Sequence, residues 1–361
     1  MIGVSAQGHA TVNSARMKPS SVPPGPVPSA PSKVAKIAAA LRDRGTPAEE
    51  VRETNMAWVF LTRDAVFKAK KPVRSALSDC RSLRARRDAC NEELRLNRRL
   101  APDVYLGLSR LTRLQGGSFA IDGDGATAEW LVHMRRLEAA RFLDQAIRSG
   151  DATPGEIAAA ADRLTRFHAG AARPPIGHFR YLGRYRHEIQ ELRHLLNEPP
   201  FQEFAPHLDR LAELLDQFLA DDIGLILSRL DDGHVVDGHG DLRPEHVWLG
   251  PPVLIIDCLE GSADHRALDP YEEYATLAME CAALGARGVQ EVLFERAAMV
   301  LGPVPPPRLI AFYTVFRATL RTRQALAHLL DPTPRTPEKW VPQAARYLAL
   351  AEEAALSLEG G

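Results

Sequence analysis

The chain has 361 residues, about two domains at roughly 150 residues each, and its 45% hydrophobic and 25% charged content excludes collagen-like, fibrous and wholly disordered classes. Its 45 basic and 46 acidic side chains nearly cancel, which excludes a global field suited to coating nucleic acid. No apolar run reaches the 18 or so residues of a membrane span, and Cys80, Cys90, Cys258 and Cys281 are too scattered for a disulfide framework or a CxxC zinc site, so a reduced, cytoplasmic setting is the default expectation.

Residues 1–32 are rich in Pro, Ser, Ala and Gly, as in Ser20-Ser21-Val22-Pro23-Pro24-Gly25-Pro26. Such a stretch buries too little apolar surface to offset its ordering entropy, and it is expected to be a disordered extension. It carries Arg16 and Lys18 and no acids, faintly like a transit peptide, and lacks the apolar core of a secretory signal. Residues 33–135 read as a mixed unit. Val34, Ile37, Ala40 and Leu41 have helical spacing. Trp58-Val59-Phe60-Leu61 reads as a strand, Arg63-Asp64 as a tight turn and 65–71 as the returning strand, ended by Pro72. A helix rich in Arg and Glu is expected over 78–100, stopped by Ala101-Pro102. Strands follow near 104–114 and 118–121, then a turn at Asp122-Gly123-Asp124-Gly125 and a strand over 126–134.

From 136 to 361 the pattern turns helical, with amphipathic segments at 156–168, 208–219, 309–330 and 341–358. One island of strand character lies at 247–257. A small strand-rich lobe followed by a larger helical lobe places a cleft at their junction, where ligand sites are favoured.

The chemistry concentrates in His239-Gly240-Asp241-Leu242-Arg243-Pro244-Glu245-His246, followed by Val247-Trp248-Leu249, Gly250-Pro251-Pro252 and Val253-Leu254-Ile255-Ile256-Asp257. A loop with an acid, a short strand, a Gly-Pro turn, a second strand and another acid form one hairpin. Its return brings Asp241 and Asp257 to the same end. Two neighbouring carboxylates suit a metal-assisted reaction, one taking a proton from a nucleophile and the other binding a hard cation.

This layout resembles the catalytic segment of the protein-kinase-like superfamily, and the His-Gly-Asp opening resembles its aminoglycoside phosphotransferase family of small-molecule kinases. Trp58-Val59-Phe60-Leu61-Thr62, Val66-Phe67-Lys68-Ala69-Lys70-Lys71-Pro72 and Glu92-Glu93-Leu94-Arg95-Leu96-Asn97-Arg98-Arg99-Leu100-Ala101-Pro102 look like a bacterial branch whose members often carry a fused ATP-binding domain. The resemblance covers roughly 50–350, and no GxxxxGK[ST] occurs in the chain. It implies an α+β, protein-kinase-like two-lobed fold, with a small antiparallel-sheet N-lobe over 33–135 and a helical C-lobe over 136–361. It also implies transfer of the γ-phosphate of ATP, with Mg²⁺, to a hydroxyl of a small molecule. On that resemblance Asp241 is the catalytic Asp, Asp257 the Mg²⁺ ligand and His239 the residue propping the loop. Lys68 is the first choice for the phosphate-binding lysine and Lys70 the second, since both lie on one face of the strand. Glu93, with Glu92 behind it, pairs with that lysine. Glu129-Trp130-Leu131-Val132-His133-Met134 looks like the hinge whose backbone, at Val132 and Met134, receives adenine.

Two positions depart from the pattern. His246 stands where an Asn ligand is expected, and imidazole suits Mg²⁺ poorly. One Mg²⁺ on Asp257, recruitment of Glu245 or Glu260, use of Mn²⁺ with His246 as a ligand, His246 as a plain loop residue, and loss of phosphoryl transfer in a nucleotide-binding pseudokinase all remain open. The phosphate loop Glu53-Thr54-Asn55-Met56-Ala57 has no glycine. Arg81, Arg84, Arg86 and Arg87 read as a solvated helix face, or alternatively as facing phosphate. Residues 188–232 hold eleven acids and three arginines. If they face the cleft, a cationic acceptor is attracted; otherwise they form a solvated face.

Overall fold

The computed structural model describes residues 30–75 and 78–360. Helix α1 (Ala30–Asp43) buries Ile37, Ala40 and Leu41, residues of the spacing that predicted it. It begins within the span expected to be disordered, whose residues 1–29 lie outside the described ones. Strands β1 (Glu50–Glu53), β2 (Ala57–Leu61) and β3 (Ala65–Lys70) come next, then α2 (Leu83–Asn97), β4 (Tyr105–Arg113), β5 (Phe119–Ile121) and β6 (Ala126–Arg135). The six strands form one antiparallel sheet in the order β1-β2-β3-β6-β4-β5.

The two-residue period of a strand sorts its side chains between the faces. Phe67 and Ala69 join Trp58, Phe60, Leu111, Ile121 and Leu131 against α1. Lys68 and Lys70, one residue out of step, face α2 instead. Helix α2 starts at Leu83, later than its composition predicts. Asp79 is already engaged by Arg81 and bridged to Arg74, and Ser82 caps the helix by accepting from the Ala85 N–H at 3.1 Å.

The helical part comprises α3 (Leu143–Ser149), α4 (Pro154–Gly170), α5 (His178–Leu195), α6 (Ala205–Asp221), α7 (Ile223–Asp231), α8 (Ala263–Arg266), α9 (Pro270–Ala283), α10 (Val289–Leu301), α11 (Pro307–Ala327) and α12 (Pro337–Glu359). Between α7 and α9 lie β7 (Val236–Asp237), β8 (Val247–Trp248), β9 (Leu254–Ile255) and β10 (Ala267–Leu268); β7 pairs with β10. Among the described residues no helix is long and apolar enough to cross a membrane.

Helix α9 is buried along nearly its whole length. Buried carboxylates survive only when paired, and each of its glutamates is. Glu272 meets Arg184 and Arg317, Glu273 meets His168, and Glu280 meets Arg321 and Tyr347. The end of α2 is pinned to the helical part. Arg99 donates to the carbonyls of Asp237 and Gly238 at 2.9 Å each, and Asn97 Oδ1 accepts from the Cys258 N–H at 2.9 Å.

Candidate active site

The expected hairpin forms. Val247 pairs with Ile255 and Trp248 with Leu254 in antiparallel register. Its turn needs Gly250, because a Cβ there would lie 1.7 Å from the Trp248 ring. The hairpin delivers Asp257 in a left-handed conformation (φ 62°), which Asp tolerates better than most residues. The Asp257 N–H is anchored on Tyr105 Oη at 3.1 Å.

From the sheet, Lys68 Nζ reaches Asp257 Oδ1 at 2.7 Å and Glu93 Oε1 at 2.9 Å. Lys70 Nζ reaches Glu93 Oε2 at 2.6 Å and Glu260 Oε1 at 2.5 Å. Glu93 is fully buried and serves both lysines, while Glu92 turns to Arg95 instead. Burial opposes the charge on Lys68, but Asp257 and Glu93 outweigh it and hold the ammonium well above its ordinary range. Burial likewise opposes the charge on Asp257, and Lys68 and then His246 hold its carboxyl far below the usual carboxylate range.

The loop carrying Asp241 hangs on α9. Glu273 accepts the backbone N–H of His239 at 3.0 Å and that of Gly240 at 2.5 Å. His239 is fully buried and its Nε2–H donates to the Ile256 carbonyl at 2.9 Å, so it props the loop against the hairpin. His246 Nδ1–H donates to the Asp241 carbonyl at 2.8 Å, and its Nε2 receives Arg243 Nη2 at 3.0 Å while standing 3.6 Å from Asp257 Oδ2. His246 thus lies between the two acids. Asp241 accepts Arg321 Nη2 at 2.9 Å, with Arg243 Nε at 3.4 Å from its other oxygen. Despite burial, Arg321 and then Arg243 hold the Asp241 carboxyl ionised well below its ordinary range.

The expected hinge residues lie inside a paired strand. Val132 and Met134 lie within β6, paired to Lys68 and Val66 on one side and to Leu108 and Tyr105 on the other. A strand between two partners spends its backbone groups on them, so those two peptides are not free for adenine. The chain leaves the ladder after Arg135, whose N–H still bonds the Val104 carbonyl at 2.9 Å. Leu137 and Glu138 follow just past the ladder, and the Glu138 carbonyl accepts Trp248 Nε1 at 3.1 Å. Met134 keeps a side-chain place, packing with Leu137, Trp248 and Ile256 around Val132 and Leu254 in an apolar cluster shared by both lobes.

Arg86 is neither solvated nor facing phosphate. It is buried on Glu129 at 2.7 Å, and Glu129 also takes Lys33 at 2.5 Å. Arg81, Arg84 and Arg87 are exposed and pair with Asp79 and Asp88. Four acids of the acid-rich run are paired with other side chains. Asp216 pairs with Arg193, Asp222 with Arg308, Asp231 with His178 and Glu188 with Arg323. The glycine-free segment expected as the phosphate loop is tethered, since Glu53 binds Lys71 and Arg335 Nη1 donates to the Glu53 carbonyl at 2.7 Å.

Arg321 and Arg243 escaped the sequence reading. Arg243 sits inside the motif, two residues past Asp241. Arg321 lies 80 residues away on an amphipathic helix, where nothing but the fold reveals its aim. As to metals, among the described residues no three His, Cys, Asp or Glu side chains gather to hold an ion by themselves. Asp257 offers one carboxylate, which fits Mg²⁺ in the manner usual beside nucleotides, with phosphate oxygens and water completing the shell. His246 offers a nitrogen that Arg243 now covers.

No family model matches the chain. An uncharacterised protein of Mycobacterium tuberculosis (strain H37Rv) is 32% identical over 314 residues, 85% of this chain and 60% of that protein. The chain thus spans about 60% of the length of the curated relatives it matches. A choline/ethanolamine kinase family protein from Mesorhizobium loti superposes with a TM-score of 0.51 at 17% identity, over 92% of this chain and 99% of that one. A choline kinase from Streptococcus pneumoniae gives 0.51 at 15% identity, over 92% and 100%. Such identities speak for the fold, and the chain has the two-lobed protein-kinase-like fold of these small-molecule kinases.

Proposed function

We propose that the chain is an ATP-dependent phosphotransferase acting on a hydroxyl of a small molecule, with a nucleotide-binding lobe over 33–135 and a catalytic lobe over 136–361. The observation that carries this reading is Lys68 held between Glu93 and Asp257, with Asp241 just beyond His246.

Phosphoryl transfer needs positioning and charge stabilisation more than covalent help from the protein. Lys68 is the ligand of the inner phosphates and Glu93 fixes its place. Lys70 is a second cation in reach. Backbone near Leu137, with Met134, Trp248 and Ile256, receives the adenine. Asp257 holds Mg²⁺, which supplies charge neutralisation on the phosphates when bound. Asp241 aligns the acceptor hydroxyl and takes its proton as the new O–P bond forms and the bond to the β-phosphate oxygen breaks. The products are a phosphate monoester and ADP.

The test is ATP turnover by the purified chain with a panel of hydroxylated small molecules, in Mg²⁺ and then Mn²⁺. ADP release that depends on acceptor and drops about a thousandfold in Asp241→Asn supports the reading. A second reading, a nucleotide-binding pseudokinase, is favoured by His246, whose nitrogens are both taken by loop contacts. Thermal stabilisation by ATP without turnover in either metal selects it. Release of pyrophosphate instead of ADP marks nucleotidyl transfer.

A further inference from the structure

An acceptor oxygen attacking in line reaches Asp241 from the side away from the nucleotide. His246 bonds the Asp241 backbone carbonyl and stands 3.6 Å from Asp257, the proposed metal ligand. The Asp241 carboxylate itself is met by Arg321 of α11, whose Nη2 lies 2.9 Å from Oδ1.

Arg321 is held from behind. Its Nε donates to Glu280 Oε1 at 2.6 Å, and Glu280 is buried and also bonded to Tyr347 Oη at 2.6 Å. Its Nη1 reaches the exposed Gln324 at 3.0 Å. These contacts use three of the five N–H groups of a guanidinium, which leaves two for a ligand. Glu280 answers the positive charge, so the group stays fixed when an acceptor displaces water. Glu188, half-buried on the neighbouring α5, is already paired with Arg323. An ammonium group arriving beside Asp241 would therefore lie against a guanidinium. A carboxylate or phosphate matches that guanidinium in charge and in fork geometry.

We propose that Arg321 selects the acceptor, and that the acceptor is a small hydroxyl compound bearing a carboxylate or phosphate rather than an ammonium alcohol. The anion takes the unspent N–H groups of Arg321 while the neighbouring hydroxyl faces Asp241. This inference rests on the phosphotransferase reading and names its substrate class. It also departs from the cationic acceptor that the acid-rich run would attract if it faced the cleft.

The experiment is equilibrium binding to the full chain. Binding of a non-hydrolysable ATP analogue with Mg²⁺ is read first; its absence overturns the phosphotransferase reading and says nothing against an anion at Arg321. The complex is then titrated with glycerate, glycerol 3-phosphate, glycerol and choline. At least one anionic alcohol should bind about tenfold or more tighter than glycerol and choline, and Arg321→Gln should erase that preference. Arg321→Lys, which keeps the charge without the fork, should retain part of it. Equal or undetected binding of all four probes, a preference for choline, or an anion preference that survives Arg321→Gln overturns the proposal.

Discussion

Lys68 Nζ and Asp257 Oδ1 lie 189 residues apart in sequence and meet at 2.7 Å. One comes from the third strand of the sheet and the other from the exit of the β8–β9 hairpin. Their contact joins the sheet to the hairpin and puts the cation beside the proposed metal ligand.

The two lysines should separate under mutation. Lys68→Met removes the cation shared by Glu93 and Asp257, and kcat/KM for ATP should fall about a hundredfold or more. Lys70 is nearly buried between Glu93 and Glu260. Lys70→Met should cost less in turnover and about 3 kcal/mol in stability, because it strips a buried carboxylate of one partner. Steady-state ADP release and urea unfolding of both variants check the order; the reverse order would exchange their roles.

His246→Asn replaces a nitrogen by an amide that can turn its oxygen to a cation. The ratio of Mg²⁺-supported to Mn²⁺-supported turnover should rise about fivefold or more if position 246 touches metal. A ratio that stays put assigns His246 to loop architecture alone.

Glu273 links stability to pH. Burial works against its charge, yet the hydrogen bond from His168, the fields of His168 and His239 and the His239 N–H hold its carboxyl at about 2, below the ordinary 4.5. A depressed carboxylate stabilises the native state above its unfolded pKa, and that contribution disappears as pH falls from about 4.5 to about 2. It is worth about 3 kcal/mol at neutral pH. Glu273→Gln should lower the urea midpoint at pH 7, and the gap from the parent protein should close towards pH 2.

The phosphate loop should loosen without Arg335. Trp340 Nε1 donates to the Arg335 carbonyl at 2.8 Å and stacks on His328 at 3.9 Å, so the residue projects from a stiff corner onto Glu53. The ion pair itself is exposed and weak. Arg335→Ala should raise KM for ATP a few-fold and speed proteolytic cutting near Thr54 and Asn55, with global stability changed by less than about 1 kcal/mol.

Much of this was legible in the sequence because it was local. Alternation over 57–70 put Lys68 and Lys70 on one face, and the spacing from Asp241 to Asp257 announced a hairpin. Both are patterns within about twenty residues. The pairing of Val132 and Met134 was not legible, because it depends on β4 and β3 flanking β6, an order that no stretch of β6 encodes. Arg86 belongs to a run of arginines, and only the approach of Glu129 from β6 takes it into the interior. Arg321 resembles any other basic residue on an amphipathic helix until α9 and the loop before β8 are brought beside it.

Because Glu93 answers Lys68 with one oxygen and Lys70 with the other, a triphosphate can draw Lys68 away from Asp257 without stranding a buried anion. Under the proposed function, arrival of the nucleotide would be a swap of counter-ions rather than a burial of new charge. On the proposed reading, Asp257 would be free to hold a divalent cation once phosphate drew Lys68 away.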